Sequence, residues 1–154
     1  MELRTAEGTW NNLALMMSDQ NPWAIEIRRD NILWRRLEGG VPTQLIDAEA
    51  RIMELRKELT DTTNINLGKI PSRAIRELLL NAVSHRSYCD RGPIVVDLDG
   101  TMTTVTNPGG HMRLGPEHSM RTRNPNLTKT LRNMGFADPE LNGMSGVMRS
   151  YRSC

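Results

Sequence analysis

The stretch that begins at Pro71 constrains this chain most. Apolar residues recur there as Ile75, Leu78, Leu79, Ala82 and Val83, at i, i+3, i+4, i+7 and i+8. That is the spacing of a helix with one buried face. A second stripe runs beside the first: Glu77, Asn81, Ser84 and His85 follow i, i+4, i+7 and i+8, so their side chains align along one edge of the same helix. Such a helix needs a second layer to bury its apolar face and offers its polar edge to chemistry. Ser72 stands at the expected N-cap position.

The residues that follow supply strands for that layer. Ile94–Leu98 and Met102–Thr106 flank Asp99-Gly100-Thr101. Asp-Gly between β-rich runs predicts a hairpin, because a type I′ turn needs positive φ. The second run ends at Asn107-Pro108-Gly109-Gly110, which cannot continue a ladder. Upstream, Ala24–Arg28 alternates, with Ile25 and Ile27 on one side and Glu26 and Arg28 on the other, as in a half-buried strand. Thr43–Leu59 reads as a helix with Leu45, Ala48, Ile52, Leu55 and Leu59 as its buried stripe, and with charged residues, Arg56 among them, elsewhere. Residues 12–17 form a short apolar run that suits a strand or a buried helix. Residues 60–71 read as a polar connection. A further helix is predicted from Asn124 as N-cap and Pro125 at its first position, with Leu127, Leu131 and Met134 buried and Gly135 as its stop.

Composition narrows the function classes. The 154 residues include three Trp, two Tyr and one Phe against ten Met, so the core rests on Leu, Ile, Val and adaptable Met. No apolar run reaches the length of a membrane span, and the first residues do not read as a signal peptide. Two cysteines, Cys89 and Cys154, cannot form a disulfide framework, so a reducing, cytoplasmic setting is expected. His85, His111 and His118 lack zinc-site spacing. A net charge of +2 is too mild to imply a nucleic-acid partner by itself. The basic residues Arg113, Arg121, Arg123 and Lys129 nevertheless gather toward the C-terminus. They suit phosphate contacts, or an ordinary solvated face.

The polar edge carries the sharpest chemistry. An Asn81 amide oxygen can serve Mg²⁺, a hard cation that takes oxygen ligands, and Glu77, one turn earlier, can polarise an attacking water. By spacing alone the same residues describe an ordinary solvated edge more readily than a site. The glycine segments at 109–110 and 143–146 can approach an anion through backbone N–H groups, and they also suit ordinary turns.

The order of these features is more specific than any one of them. Pro71–Tyr88 resembles the opening motif of the RecG-like ATPase family, within the GHKL superfamily of gyrase, chaperone, histidine kinase and mismatch-repair ATPases. The stretch from Gly92 through Gly110 is similar to its hairpin and first glycine motif. The stretch from Arg123 through Phe136 looks like its next helix. The resemblance covers about residues 68–149 and extends weakly through 10–60. Met144-Ser145-Gly146 stands where the family usually has Gly-Thr-Gly, Ser87 replaces an Asp, and His111-Met112-Arg113 replaces Gly-Leu-Pro. No Gly-x-x-x-x-Gly-Lys phosphate loop is present to support helicase activity.

The resemblance implies an α/β fold, an α+β two-layer sandwich of the GHKL ATPase type. A small mixed or antiparallel sheet would carry helices on one face. Residues 1–60 would add a strand and helix to a nucleotide-binding module at 61–154 whose last strands lie beyond Cys154. The implied cofactors are ATP and Mg²⁺. Glu77 would activate water and Asn81 would hold the metal. Asn81, Ser84, His85, Asn107, Gly109, Gly110, Gly143, Ser145 and Gly146 would bind the nucleotide. Arg113, Arg121, Arg123 and Lys129 would contact phosphate or DNA. The expected function is ATP binding, with slow Mg²⁺-dependent hydrolysis, in a RecG-related transcriptional regulator that reaches DNA through flanking domains and forms a homodimer. The alternative expectation is a degenerate interaction or DNA-contacting module without nucleotide.

Overall fold

A computed structural model describes residues 12–63, 71–100, 102–109 and 123–137. In chain order the elements are α1 (Asn12–Met17), β1 (Ile25–Arg29), β2 (Ile32–Leu37), α2 (Val41–Thr63), α3 (Ser72–His85), β3 (Ile94–Leu98), β4 (Thr103–Thr106) and α4 (Pro125–Asn133). The four strands form one mixed sheet in the order β2-β1-β3-β4. β1 pairs antiparallel with β2 and parallel with β3, and β3 pairs antiparallel with β4. The expected α/β class, with a small mixed sheet and helices on one face, is what the chain adopts.

The alternation read in the sequence places the core. Ile25 and Ile27 of β1 and Ile94, Val96 and Leu98 of β3 point under the helices, all within 1% exposure. They meet Leu45, Ala48, Ile52, Leu55 and Leu59 of α2 and Ile75, Leu79 and Val83 of α3 in one cluster. Because β1 is a central strand, both stretches of the chain build the same sheet and the same core. The opposite face of the sheet is ionic. Glu26 accepts hydrogen bonds from Arg28 and Arg36, each at 2.7 Å. The Arg28 hydrogen bond, followed by that of Arg36, holds the Glu26 carboxyl below its ordinary pKa against the opposing effect of burial.

Several local expectations are corrected. The hairpin at Asp30-Asn31 carries the left-handed pair, with φ of 52° and 65°, as a type I′ turn requires. The Asp99 turn instead closes with Met102 donating its backbone N–H to Asp99 Oδ1 at 2.8 Å, and Asp99 N–H donating to the Met102 carbonyl. α2 continues to Thr63, past the expected end at Leu59, and within this last stretch Thr60 and Thr62 donate their hydroxyls to the Arg56 and Glu58 carbonyls one turn back. Arg56 is buried rather than solvated and donates to Thr103 Oγ1 at 3.1 Å. Pro71, not Ser72, occupies the N-cap of α3. Met134 is 51% exposed, because the last turn of α4 closes in a Schellman motif. Gly135 at φ +86° donates to Arg132 O, and Phe136 N–H donates to Leu131 O. Phe136 packs against the core in the place expected for Met134.

Core and rim should respond differently to truncation. Ile52→Ala is expected to cost about 2–5 kcal/mol in urea denaturation. Met134→Ala, at an exposed position, should stay within about 0.5 kcal/mol of the parent.

Candidate functional site

The polar edge of α3 is built into the protein rather than left in water. Glu77 and Ser84 are 1% and 2% exposed, and Asn81 and His85 are half-buried. α3 is buried more widely than its first stripe implies, with Ala74 and Leu80 also closed off. The covering element is α4, which runs antiparallel along the edge. At one end Asn124 meets the Ser84 carbonyl; at the other, Arg132 Nη2 lies 3.8 Å from Glu77 Oε1. Within this edge the amide nitrogen of Asn81 and the hydroxyl of Ser84 are buried and make no hydrogen bond. Most buried polar groups do find a partner, so two orphans one turn apart mark a place where one is missing.

The first glycine motif comes to the same helix. Asn107 Nδ2 donates to the Ala82 carbonyl at 3.4 Å, and Ser87 N–H donates to Pro108 O at 2.9 Å. Gly109 has φ +101°, and a Cβ there would collide with the Arg123 guanidinium and Ser87 Cβ. Only glycine fits that backbone so close to its neighbours. Arg123 Nη2 donates to Gly109 O at 3.2 Å. Burial, and then the Arg123 charge, push the His85 imidazole below its ordinary pKa.

The structure therefore brings Glu77, Asn81, Ser84 and His85 together on one helix edge, with Asn107, Gly109 and Arg123 at its C-terminal end. Lys129 is exposed on α4. Gly110, Gly143, Ser145, Gly146, Arg113 and Arg121 lie outside the described residues. Among the described residues, no cluster of three or more His, Cys, Asp or Glu is arranged to hold a metal ion. No described helix is long and apolar enough to cross a membrane.

Three nearby residues escaped the sequence reading. Arg86 is 1% exposed and donates to the carbonyls of Asp90 and Gly92 at 2.9 and 2.7 Å. It also sits over the Tyr88 ring, and burial pulls its pKa down. Its position extends the apolar stripe by one more turn past Val83, which is the signal that was available. Asn124 caps α4 by position but sends its Nδ2 to the Ser84 and Arg86 carbonyls, both at 2.9 Å. No periodicity encodes that contact, nor the approach of Arg132 to Glu77.

Two open grooves flank the edge, and neither is lined by Glu77, Asn81, Ser84 or His85. One, of about 460 Å³, lies over Met53, Met134, Phe136 and the Glu49–Arg76 ion pair. The other, of about 500 Å³, lies between α1, the 87–89 loop and the start of α4.

No family model and no curated protein matches this chain. Among solved structures, it is similar to the crystal structure of the DIP2311 protein from Corynebacterium diphtheriae. The TM-score is 0.61 and the identity 23%, over 88% of this chain and 26% of that one. That likeness concerns the fold alone, and this chain spans only 26% of the length of the protein it matches.

Asn124→Ala should cost about 1–3 kcal/mol in urea denaturation, because the Arg86 carbonyl loses its Asn124 donor and the Ser84 carbonyl keeps only the backbone N–H of residue 124. His85 takes up its proton at lower pH when folded than when unfolded. Its contribution to stability is therefore complete above the ordinary value of 6.5 and is lost as pH falls from there through the lower folded value. In thermal melts, His85→Gln should narrow the Tm gap between about pH 7.5 and about pH 5.5.

Proposed function

We propose that this chain is a nucleotide-binding module of the RecG-like ATPase type, taking ATP with Mg²⁺ along the polar edge of α3. The observation that supports this most is the pair of orphaned polar atoms, Asn81 Nδ2 and Ser84 Oγ, on the edge that also holds the buried Glu77. A purely structural edge at such burial would be apolar or internally satisfied. An acid, a carboxamide and a hydroxyl in helical register fit a metal–phosphate ligand by donor chemistry. Asn81 would offer its amide oxygen to the cation.

Bound Mg²⁺–ATP would supply the phosphate electrophile and the charge that screens it. The chain does the rest. Glu77 would accept a proton from an attacking water, and its burial would make turnover slow unless α4 yields. Ser84 and His85 would line the edge, and Asn107 and Gly109 would close its C-terminal end. In a cell this module would serve a DNA-linked regulator, and the contacts to DNA would come from domains outside this chain.

One observation favours a second reading. Arg132 already faces Glu77 at 3.8 Å, and the carboxylate is 1% exposed. An edge filled by α4 in this way suits an interaction module that binds no nucleotide.

Thermal shift and calorimetric titration separate the two readings. A ligand that binds the folded state alone must raise its apparent Tm. Millimolar ATP with Mg²⁺ should raise the Tm of the parent. Asn81→Ala should weaken Mg²⁺-dependent binding about tenfold, or about 1.4 kcal/mol. Glu77→Gln should retain binding and lose phosphate release. If ATP with Mg²⁺ leaves Tm unchanged and gives no heat, the nucleotide reading fails and the interaction module stands.

A further inference from the structure

The groove between α1 and the start of α4 has a chemistry of its own. It holds about 500 Å³, within the range of small-molecule sites. Its walls are apolar and aromatic: Leu13 and Met16 on one side, Leu127 on the other, and the rings of Trp23 and Tyr88 packed edge-to-face at 5.0 Å. Among its described lining residues only Arg123 is charged, and none is acidic. The indole N–H of Trp23 is buried and donates to no acceptor, although a buried indole N–H usually finds one. The Tyr88 hydroxyl is already spent on the Val83 carbonyl at 3.0 Å. The groove therefore carries a cation that meets no carboxylate among the described residues, with a buried unpartnered donor on its Trp23 wall residue.

We infer that this groove binds a small aromatic carboxylate, its ring against Trp23 and Tyr88 and its carboxylate toward Arg123. The charge complementarity fixes the class. A cationic ligand would meet the Arg123 guanidinium with no compensating acid, and an uncharged aromatic would leave that cation unanswered. The groove adjoins the C-terminal end of the α3 edge through Arg123 but is lined by none of Glu77, Asn81, Ser84 and His85, and its test requires no nucleotide.

Cys89 makes the inference testable, because its free thiol is exposed and lines the groove. The probe is 2-naphthoate, with the uncharged 2-naphthalenemethanol as its comparator. Alkylation by iodoacetamide is followed by mass spectrometry at Cys89 and Cys154. 2-Naphthoate should slow Cys89 modification about tenfold at roughly ten times its dissociation constant. Cys154 should react unchanged, and the alcohol should protect far less. Arg123→Gln should bring the protection by the acid down to that of the alcohol. Asn12→Asp, at an exposed position on the rim, should weaken protection by adding a repelling charge, without disturbing the core. Equal protection by the two probes, absence of protection at millimolar naphthoate, or protection indifferent to Asn12→Asp would each overturn the inference.

Discussion

The C-terminal turn of α3 joins the rest of the molecule, and it does so through carbonyls. A helix end leaves its last backbone oxygens without partners. α4 answers this problem with a left-handed glycine, Gly135. α3 has no such residue, because Arg86 at its C-cap is extended, with φ −63° and ψ 153°. Side chains and backbone from other elements supply the donors instead. The Ala82 carbonyl accepts from Arg86 N–H and Asn107 Nδ2, that of Val83 from the Tyr88 hydroxyl, and that of Ser84 from both nitrogens of Asn124. Apart from the Arg86 N–H, which is the cap of α3 itself, the donors come from three different segments. Satisfying one helix end thus fixes the end of β4, the 87–92 loop and the start of α4 around the edge that carries Glu77 and Asn81.

Periodicity made the parts legible, and contacts between segments did not follow from it. The stripes of α2 and α3, the alternation in β1, the β3–β4 hairpin and Pro125 at the first position of α4 are local patterns, and all of them hold. β2 is different. Its residues, Ile32–Leu37, contain adjacent apolar and adjacent arginine positions with no period of two, and a register shift opposite Ile27 and Arg28 interrupts its pairing. No alternation exists there to be read. The buried charges share a related cause. Arg56 and Arg86 bury long stems and place their guanidinium groups on acceptors supplied by other elements, so residue type alone suggests the surface.

The candidate site was legible to the same degree. Spacing along α3 identified Glu77, Asn81, Ser84 and His85 as one row, and Asn107 and Gly109 do reach that helix. Whether the row faces solvent depends on where α4 lies, and nothing in the helical period of α3 specifies that. Arg123 shows the limit most directly. In sequence it belongs to a diffuse basic stretch; in the fold it ties the Gly109 turn, bears on His85 and lines an apolar groove. Its role comes from position rather than charge density.

The burial of Glu77 is conditional on a small element. α4 has nine residues, too few to persist as a helix in water by itself, so its hold on α3 decides how closed the edge is. That hold is strongest at its N-terminus, where Asn124 makes three hydrogen bonds to α3 and the turn after it, and along Leu127 and Leu131. At the far end, the separation of 3.8 Å between Arg132 and Glu77 is longer than a hydrogen bond, so this pair attracts by charge. Any ligand that reaches Glu77 and Asn81 competes with the docking of α4 rather than with bulk water. On the proposed nucleotide reading, the affinity of the edge would be its intrinsic affinity reduced by the free energy that keeps α4 in place. Substitutions in α4 that touch no ligand must change binding through that term.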